Sequence, residues 1–175
     1  MTAVKELQLA VIGEVPVGLL RELEAPIEQV LGVGAWVGKG LLPEVAFAFN
    51  KERRQYHTTA VTRRLLTVRE PSARFVMGVA DVDLFVPDTP FVYGEADREA
   101  RAAVMSIWRL RGEGDAWKRR ACVEAVHQVG HLLGLSYCED ARCAMFQATT
   151  ITDAERRQLH LCNNCRNEFV KQRKM

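Results

Sequence analysis

The stretch EAVHQVGHLLGLSYCEDARCAMF, residues 124–146, holds most of the information about fold and chemistry. Two histidines, His127 and His131, lie four residues apart in a segment with helical periodicity. Residues four apart share one face of a helix, so both imidazoles can reach one metal ion. Zinc binds neutral histidine nitrogen, and a catalytic zinc site uses three protein ligands and keeps one position for water. The spacing therefore predicts a metal site on this helix.

A glycine and a tyrosine follow the histidine pair. We expect Gly134 to end the helix, because glycine adopts a positive φ without steric cost. The chain can then turn back, and Tyr137 stands where a third ligand would be. The alternative is that His127 and His131 are buried core residues that bind no metal. The glycine and the adjoining cysteines favour the metal site over that alternative.

Four of the five cysteines form two short pairs, C-x4-C and C-x2-C, which are Cys138, Cys143, Cys162 and Cys165. Four thiolates in two pairs are typical of a tetrahedral structural zinc site. The alternative is free or disulfide-bonded cysteines, and disulfides are rare in proteins that are not exported. We expect one structural zinc ion here, whose binding is coupled to folding of the C-terminal end. The histidine pair offers a place for a second ion.

Length and composition suit one compact domain. The chain has 175 residues, of which 48% are hydrophobic and 26% charged, and a formal net charge of +2. That charge is too small to require a nucleic-acid or membrane partner, and no apolar run reaches the length of a membrane span. The N-terminus has no signal-peptide core, so we predict a cytoplasmic protein. We expect a single domain over residues 1–175, with a sheet part at about 1–134 and a zinc-held part at about 135–175.

Strand and helix patterns alternate in the first half of the chain. LQLAVIGEV, residues 7–15, is predicted to be a buried strand, and residues 18–32 have helical periodicity. EVAFAF, residues 44–49, is a further strand candidate, and FVYGEA, residues 91–96, is predicted to be an edge strand. With helices towards the C-terminus, this order predicts an α/β or α+β fold.

One combined pattern joins the histidines to the cysteines. It consists of His127-x3-His131-x2-Gly134-x2-Tyr137-Cys138-x4-Cys143-x-Met145, followed by Cys162-x2-Cys165. This pattern resembles the signature of the archaemetzincins, a metzincin-clan family of zinc metallopeptidases. The family signature is HExxHxxGxxH, with the last histidine running directly into a cysteine-rich zinc site. FNKERRQYHTTA, VDLFVPDTPFVYGEAD and AAVMSIWRLR are also similar to the family, so the resemblance covers most of the chain.

The resemblance implies a metzincin-like fold and peptide-bond hydrolysis by zinc-activated water. The fold would have a twisted mixed sheet with one antiparallel edge strand, an active-site helix, and a C-terminal helical part held by a four-cysteine zinc site. His127 and His131 would be the first two ligands of the catalytic zinc, and Met145 the methionine of a turn beneath it. A peptide substrate would pair with the edge strand near FVYGEA.

Two positions depart from the family pattern. Gln128 stands where the family has its glutamate general base, and Tyr137 stands where it has the third histidine ligand. An amide cannot accept a proton at neutral pH, and loss of a general base typically lowers the rate by about 10²–10⁴. A phenol binds metal well only after the metal lowers its pKa, so we expect weaker zinc binding here. Glu124 shares the helical face of His127 and is expected to orient the metal ligands or to face solvent.

The sequence is compatible with three functions. The first is a zinc metallopeptidase of the archaemetzincin type. The second is a non-catalytic relative that keeps the fold and the structural zinc and binds a peptide or protein segment in the cleft. The third is a nucleic-acid-binding zinc module, supported only by the four cysteines and the basic tail RNEFVKQRKM. Gln128 and Tyr137 favour the second function. We therefore predict a member of the metallopeptidase family whose hydrolytic activity is absent or impaired.

Overall fold

The main element of the fold is a five-stranded mixed sheet. The computed structural model describes residues 3–175. The strands of this sheet are β1 (Lys5–Val11), β2 (Gly34–Val37), β5 (Phe75–Ala80), β7 (Gly94–Asp97) and β8 (Ala102–Ser106). Their order is β2-β1-β5-β8-β7, with all neighbours parallel except β7, which runs antiparallel to β8 at one edge. The predicted mixed sheet with one antiparallel edge strand is therefore confirmed.

Helices cover both faces of the sheet, and the strand sequences explain why. Every residue of β5 and of β8 is buried, as expected of parallel strands that have helices on both sides. The helices of this part are α1 (Leu19–Leu31), α2 (Thr58–Leu65) and α3 (Ala116–Leu132). Leu7 and Leu9 pack into one core with α1 and α3, whereas Val76 and Val104 pack into a second core with α2. α3, which holds the two histidines, therefore lies against the sheet beside β7 and β8.

One predicted strand is wrong. Residues Ala46–Ala48 of EVAFAF form a short 3-10 helix. The Glu44 carboxylate accepts a hydrogen bond from the backbone N–H of Ala46 at 2.5 Å, which turns the chain away from an extended path. Only β3 (Phe49–Asn50) is extended there, and it belongs to a small second sheet with β4 (Gln55–His57) and β6 (Leu84–Phe85).

The C-terminal part consists of a turn, a long loop and two helices. α3 ends at Leu132, and Gly134 has a φ of 103°, as expected of a glycine that reverses the chain. The two helices are α4 (Ile151–Arg156) and α5 (Asn163–Lys174). Met145 and Leu161 belong to the same apolar core as α1 and α3. The loop and helices are thus packed onto the sheet part through a shared core.

None of the helices within residues 3–175 is both long enough and apolar enough to cross a bilayer.

Candidate functional site

The two histidines of α3 face a common point. Their Nε2 atoms are 3.1 Å apart. Nδ1 of His127 bonds to the carbonyl oxygen of Ala144 at 2.9 Å, and Nδ1 of His131 bonds to that of Leu135 at 2.8 Å. A carbonyl oxygen only accepts, so each Nδ1 donates and each neutral ring keeps its lone pair on Nε2. Two lone pairs directed at one point are the arrangement that binds a shared cation.

The spacing and protonation of the pair fit zinc. Tetrahedral zinc with nitrogen bonds of about 2.0–2.1 Å places two nitrogens about 3.3 Å apart, close to the spacing of the pair. Burial lowers the pKa of His127 to about 4, and burial also lowers the pKa of His131. Both imidazoles are therefore neutral at physiological pH, which is the form that binds metal.

Tyr137 lies beside the pair, beyond the Gly134 turn. Its ring centroid is 4.5 Å from that of His131 and 5.7 Å from that of His127. The side chain is 59% exposed. Partial burial, together with the negative charges of Glu95 and Glu124, raises the pKa of the Tyr137 hydroxyl. The residue is a neutral phenol in this environment, which makes it a poorer metal ligand than a third imidazole.

Gln128 is held by a buried carboxylate one helical turn earlier. Its side chain is 3% exposed, and its Nε2 donates to Oε1 of Glu124 at 2.7 Å. A carboxylate accepts hydrogen bonds and cannot donate them, so this contact fixes which end of the amide faces Glu124. The amide oxygen of Gln128 is buried and has no hydrogen-bond partner among residues 3–175.

Arg157 completes this polar cluster. Its Nη2 donates to Oε2 of Glu124 at 2.7 Å, and both side chains are buried. Burial raises the pKa of Glu124, but the charge of Arg157 and the hydrogen bonds outweigh it, and the net pKa lies below the usual value. Glu124 is thus an ionised carboxylate that orients Gln128 and does not face solvent. The sequence alone does not predict a role for Arg157 in this site, because its partner Glu124 is 33 residues away and no local motif marks the pair.

These groups line a cavity of about 150 Å³. The segment that leads into β7 forms one wall, and the loop after Met145 forms another. The side chains that give the cavity its chemistry are Tyr93, Glu124, His127, Gln128, Tyr137 and Arg157. Glu124 is the one carboxylate among the described lining residues. Gly94 lets β7 approach closely, since a Cβ there would lie 2.8 Å from Nε2 of Gln128.

The cysteines form a separate cluster at the start of α5. The four Sγ atoms of Cys138, Cys143, Cys162 and Cys165 all lie within 4.8 Å of one another. Tetrahedral zinc with sulfur bonds of about 2.3 Å has sulfur–sulfur edges of about 3.8 Å. The Sγ atoms of Cys138 and Cys162 are 3.7 Å apart, so the cluster fits a four-thiolate zinc site.

Backbone groups support the cysteine cluster, and a methionine connects it to α3. The N–H groups of Met145 and Cys162 both donate to Sγ of Cys143 at 3.4 Å. Met145 is fully buried and packs against α3 at Gly130, where an added Cβ would lie 2.5 Å from its sulfur. Gly130 falls between the two histidines in sequence, so this loop supports the part of α3 that presents them.

Sequence comparison identifies relatives along nearly the whole chain. The model of Peptidase family M54 matches residues 3–171. The archaemetzincin of Methanocaldococcus jannaschii is 31% identical over 172 residues, which cover 94% of this chain and 93% of that protein. The archaemetzincin of Pyrococcus furiosus is 34% identical over 167 residues, which cover 88% of this chain and 86% of that protein.

Solved structures have the same fold. The crystal structure of archaemetzincin from Methanopyrus kandleri superposes with a TM-score of 0.85 at 24% identity, over 98% of this chain and 97% of that one. The structure of a zinc-dependent peptidase from Methanocorpusculum labreanum superposes with a TM-score of 0.81 at 24% identity, over 93% and 99%.

Proposed function

The chain belongs to peptidase family M54, the archaemetzincins, and we propose that it binds peptides in the family's cleft while hydrolysing them weakly or not at all. The structural zinc of the cysteine cluster would stabilise the fold. The observation on which this proposal rests is Gln128, which replaces the general base and is held in place by Glu124.

The histidine site still offers a place for zinc. His127 and His131 would be its ligands, with Tyr137 as a third. A zinc ion bound there would polarise a peptide carbonyl and lower the pKa of a bound water. The geometry of the imidazoles supports this binding, whereas the neutral phenol of Tyr137 argues for weaker affinity than three histidines would give.

Hydrolysis also needs a group that takes a proton and passes it to the leaving amine. Gln128 occupies that position, and a carboxamide does not accept a proton at neutral pH. Loss of a general base alone typically reduces the rate by about 10²–10⁴. Gln128 can still accept a hydrogen bond through its oxygen, so it can position a ligand without activating one.

Glu124 is the one carboxylate among the described residues that line the cavity, and its contacts argue against a role as the base. Both of its oxygens are occupied, one by Gln128 and the other by Arg157. A general base must lie within hydrogen-bond distance of the proton it removes. The Arg157 charge also lowers the pKa of the carboxylate and with it the basicity of Glu124.

Peptide binding is supported by the free edge of the sheet. β7 pairs with β8 on one side and is the last strand of the main sheet. An extended peptide can add to such an edge through main-chain hydrogen bonds, while pockets beside the edge select its side chains. The cavity bordered by Gly94 is such a pocket.

An active peptidase is the second candidate, and the histidine geometry favours it. The lone pairs of His127 and His131 are arranged for a cation whether or not the base is present. Hydrolysis by this chain would then need a proton acceptor supplied by the substrate or by solvent.

A hydrolysis assay separates the two candidates. The purified chain, loaded with zinc, is incubated with casein and with a mixed peptide library, with and without a chelator. We expect turnover at background level in both conditions, matched by the Gln128→Ala variant. Chelator-sensitive turnover by the wild-type chain, well above background, would overturn the proposal, and its persistence in Gln128→Ala would show that hydrolysis needs no group at position 128.

A further inference from the structure

A second cavity lies beyond the C-terminal end of α3 and shares no lining residue with the cavity of the histidine site. Its volume is about 630 Å³, within the range of about 300–1,000 Å³ that is typical of small-molecule sites. Phe75, Leu132 and Leu133 form its apolar part. The other lining residues are Arg74, Arg98, Arg101, Gln172, Arg173 and Met175. We call this cavity the arginine pocket, after the four arginines that line it.

The fold brings the four arginines together from three separate parts of the chain. Arg74 directly precedes β5, and Arg173 lies in the last turn of α5. Arg98 and Arg101 lie in the turn between β7 and β8. The backbone N–H of Val76 donates to the carbonyl oxygen of Arg101 at 3.1 Å, which aligns the starts of β5 and β8. All four arginines are exposed, so a ligand in solution can reach their guanidinium groups.

Two of the arginines share one acidic partner. Oε1 of Glu6 is 3.0 Å from Nη1 of Arg74, and Oε2 of Glu6 is 3.6 Å from Nη2 of Arg173. The side chains of Arg74 and Arg173 are 53% and 37% exposed. One carboxylate therefore holds two guanidinium groups close together. Since a guanidinium group has five N–H donors, both arginines keep donors for a ligand.

The other two arginines have no acidic partner among residues 3–175. Nη2 of Arg98 donates to Oε1 of Gln172 at 3.3 Å, and this acceptor is neutral. Neither Arg98 nor Arg101 forms a salt bridge in the described part of the chain. A concave surface with an excess of one charge sign attracts ions of the opposite sign. These two arginines therefore favour an anionic ligand.

The pocket keeps a positive charge when the acidic groups around it are counted. Glu6 offsets one of the four arginines, and the main-chain carboxylate of Met175 would offset another. Asp97 and Glu99 belong to the turn between β7 and β8 but do not line the pocket. Oδ1 of Asp97 accepts a hydrogen bond from the backbone N–H of Ala100 at 2.9 Å. The residues that line the pocket therefore offer two positive charges to a ligand.

We propose that the arginine pocket binds a small ligand that carries two linked phosphate groups. A planar guanidinium group can donate two parallel hydrogen bonds to one phosphate, which suits arginine to phosphate recognition. Two linked phosphates offer charge and acceptor oxygens to several arginines at once. The inference is independent of the proposed function, because the arginine pocket and the cavity of the histidine site have no lining residue in common.

Nucleic acid carries the same phosphate chemistry, but the pocket lacks the aromatic surface that binds single strands. Proteins that bind single strands stack the bases on exposed aromatic rings. Phe75 is the one aromatic residue among the described residues that line the pocket, and it is 4% exposed. The guanidinium carbon of Arg74 lies 5.0 Å from the centroid of its ring. A compact anion therefore fits the pocket better than a strand.

Calorimetric titration of pyrophosphate into the zinc-loaded chain tests the proposal. Arg101→Gly removes one guanidinium group and suits the backbone, because Arg101 has a φ of 58° that glycine adopts without steric cost. We expect this variant to fold and to bind pyrophosphate about tenfold more weakly, the usual loss for one hydrogen bond to a charged group. Equal affinities of wild type and Arg101→Gly, or no binding to wild type, would overturn the inference.

Arg54→Gly is the matched control. Arg54 is exposed, has a φ of 56° and lies outside both cavities. The two variants lose the same charge at the same backbone conformation, so the control should bind pyrophosphate like wild type. Both variants keep every histidine and cysteine, so pyrophosphate bound to zinc would not distinguish them. The same loss of affinity in both variants would show that net charge, and not the pocket, attracts pyrophosphate.

Two further probes test the class of ligand. Inorganic phosphate has one phosphate group and should bind about tenfold more weakly than pyrophosphate. A short single-stranded oligonucleotide should bind equally weakly to wild type and to Arg101→Gly. Phosphate that binds as tightly as pyrophosphate would contradict the requirement for two linked groups. Tight binding of the oligonucleotide that is lost in Arg101→Gly would contradict a small ligand and assign the pocket to nucleic acid.

Discussion

The cysteine cluster and the histidine pair are neighbours in sequence, yet they differ in completeness. All four thiols of the cluster are present and lie within 4.8 Å of one another. In the histidine site the two Nε2 atoms are 3.1 Å apart, but a phenol lies beside them and an amide stands at the position predicted for the general base. Residues 135–146 belong to both sites, because they carry Tyr137 as well as Cys138 and Cys143.

The contrast shows that binding a metal and using it impose different requirements. A structural zinc site needs only four sulfur atoms at the corners of a tetrahedron. Hydrolysis also needs a proton acceptor of suitable basicity at a defined position. The cysteine cluster has the four sulfur atoms that a structural site requires. The histidine pair has two nitrogen atoms directed at one point but an amide at position 128. On the proposed function, the chain would keep the family fold and lose most or all of the family chemistry.

The largest expected effect is on stability, and it follows from removing a cysteine of the four-cysteine site. A structural zinc ion contributes roughly 10 kcal/mol to folding, which is comparable with the total stability of a domain. Cys143→Ser removes a fully buried ligand. We expect the variant to lose its tightly held zinc and to unfold at a temperature lower by tens of degrees, measured by metal analysis and calorimetry.

Cys122→Ser is the matched control, because Cys122 lies outside the cluster. It should retain zinc and unfold close to the wild-type temperature. Full zinc content and unchanged stability in Cys143→Ser would show that the four cysteines are not a zinc site.

The second effect concerns catalysis and tests what the histidine site lacks. Glu124→Gln with Gln128→Glu and Tyr137→His moves the carboxylate one turn along α3 and adds a third imidazole. We expect a second bound zinc and a rate of peptide hydrolysis about 10²–10⁴ above wild type. Peptide cleavage and zinc content are measured on the same preparations.

Gln128→Glu with Tyr137→His alone should gain less than the triple variant. Its new carboxylate would meet that of Glu124, where the wild-type atoms are 2.7 Å apart, and one of the two would have to be protonated. A triple variant that binds two zinc ions and stays inactive on every peptide would show that the cleft differs from active relatives at further positions.

The third effect concerns the free energy of unfolding and tests whether Glu124 and Arg157 form a buried ion pair. Arg157→Met leaves the Glu124 charge without its partner in an apolar setting, which typically costs about 3–5 kcal/mol. Glu124→Gln with Arg157→Met removes both charges and should recover most of that loss. Urea unfolding at neutral pH gives the values, and a single variant as stable as wild type would mean that the pair is accessible to water.

The smallest effect on stability concerns the contact between Gly130 of α3 and Met145 of the loop that carries the cysteines. Gly130→Ala places a Cβ 2.5 Å from the Met145 sulfur, and both residues are buried. Overpacking of this kind costs about 1–3 kcal/mol. We expect reduced stability in urea unfolding with full zinc at the cysteine cluster. Zinc loss in this variant would indicate that the two sites are more tightly coupled than their contacts suggest.

The sequence identified the parts of this molecule whose chemistry is local. His127 and His131 lie one helical turn apart, and each cysteine pair is a short motif. Sequence spacing was therefore enough to predict that the two members of each pair lie close together. Arg157 and Tyr93 reach the cavity through the tertiary fold, and no periodicity marks either one. EVAFAF has the composition of a strand, but the Glu44 side chain turns its backbone, and propensity does not detect a single side-chain hydrogen bond.

Anomalous scattering at the zinc edge, measured on crystals grown with zinc, tests the central claim most directly. We expect a fully occupied ion on the four thiolates, lower occupancy at the histidine pair, and no carboxylate hydrogen-bonded to solvent beside that second position. A fully occupied ion on His127 and His131, together with a carboxylate hydrogen-bonded to its solvent ligand, would contradict the account.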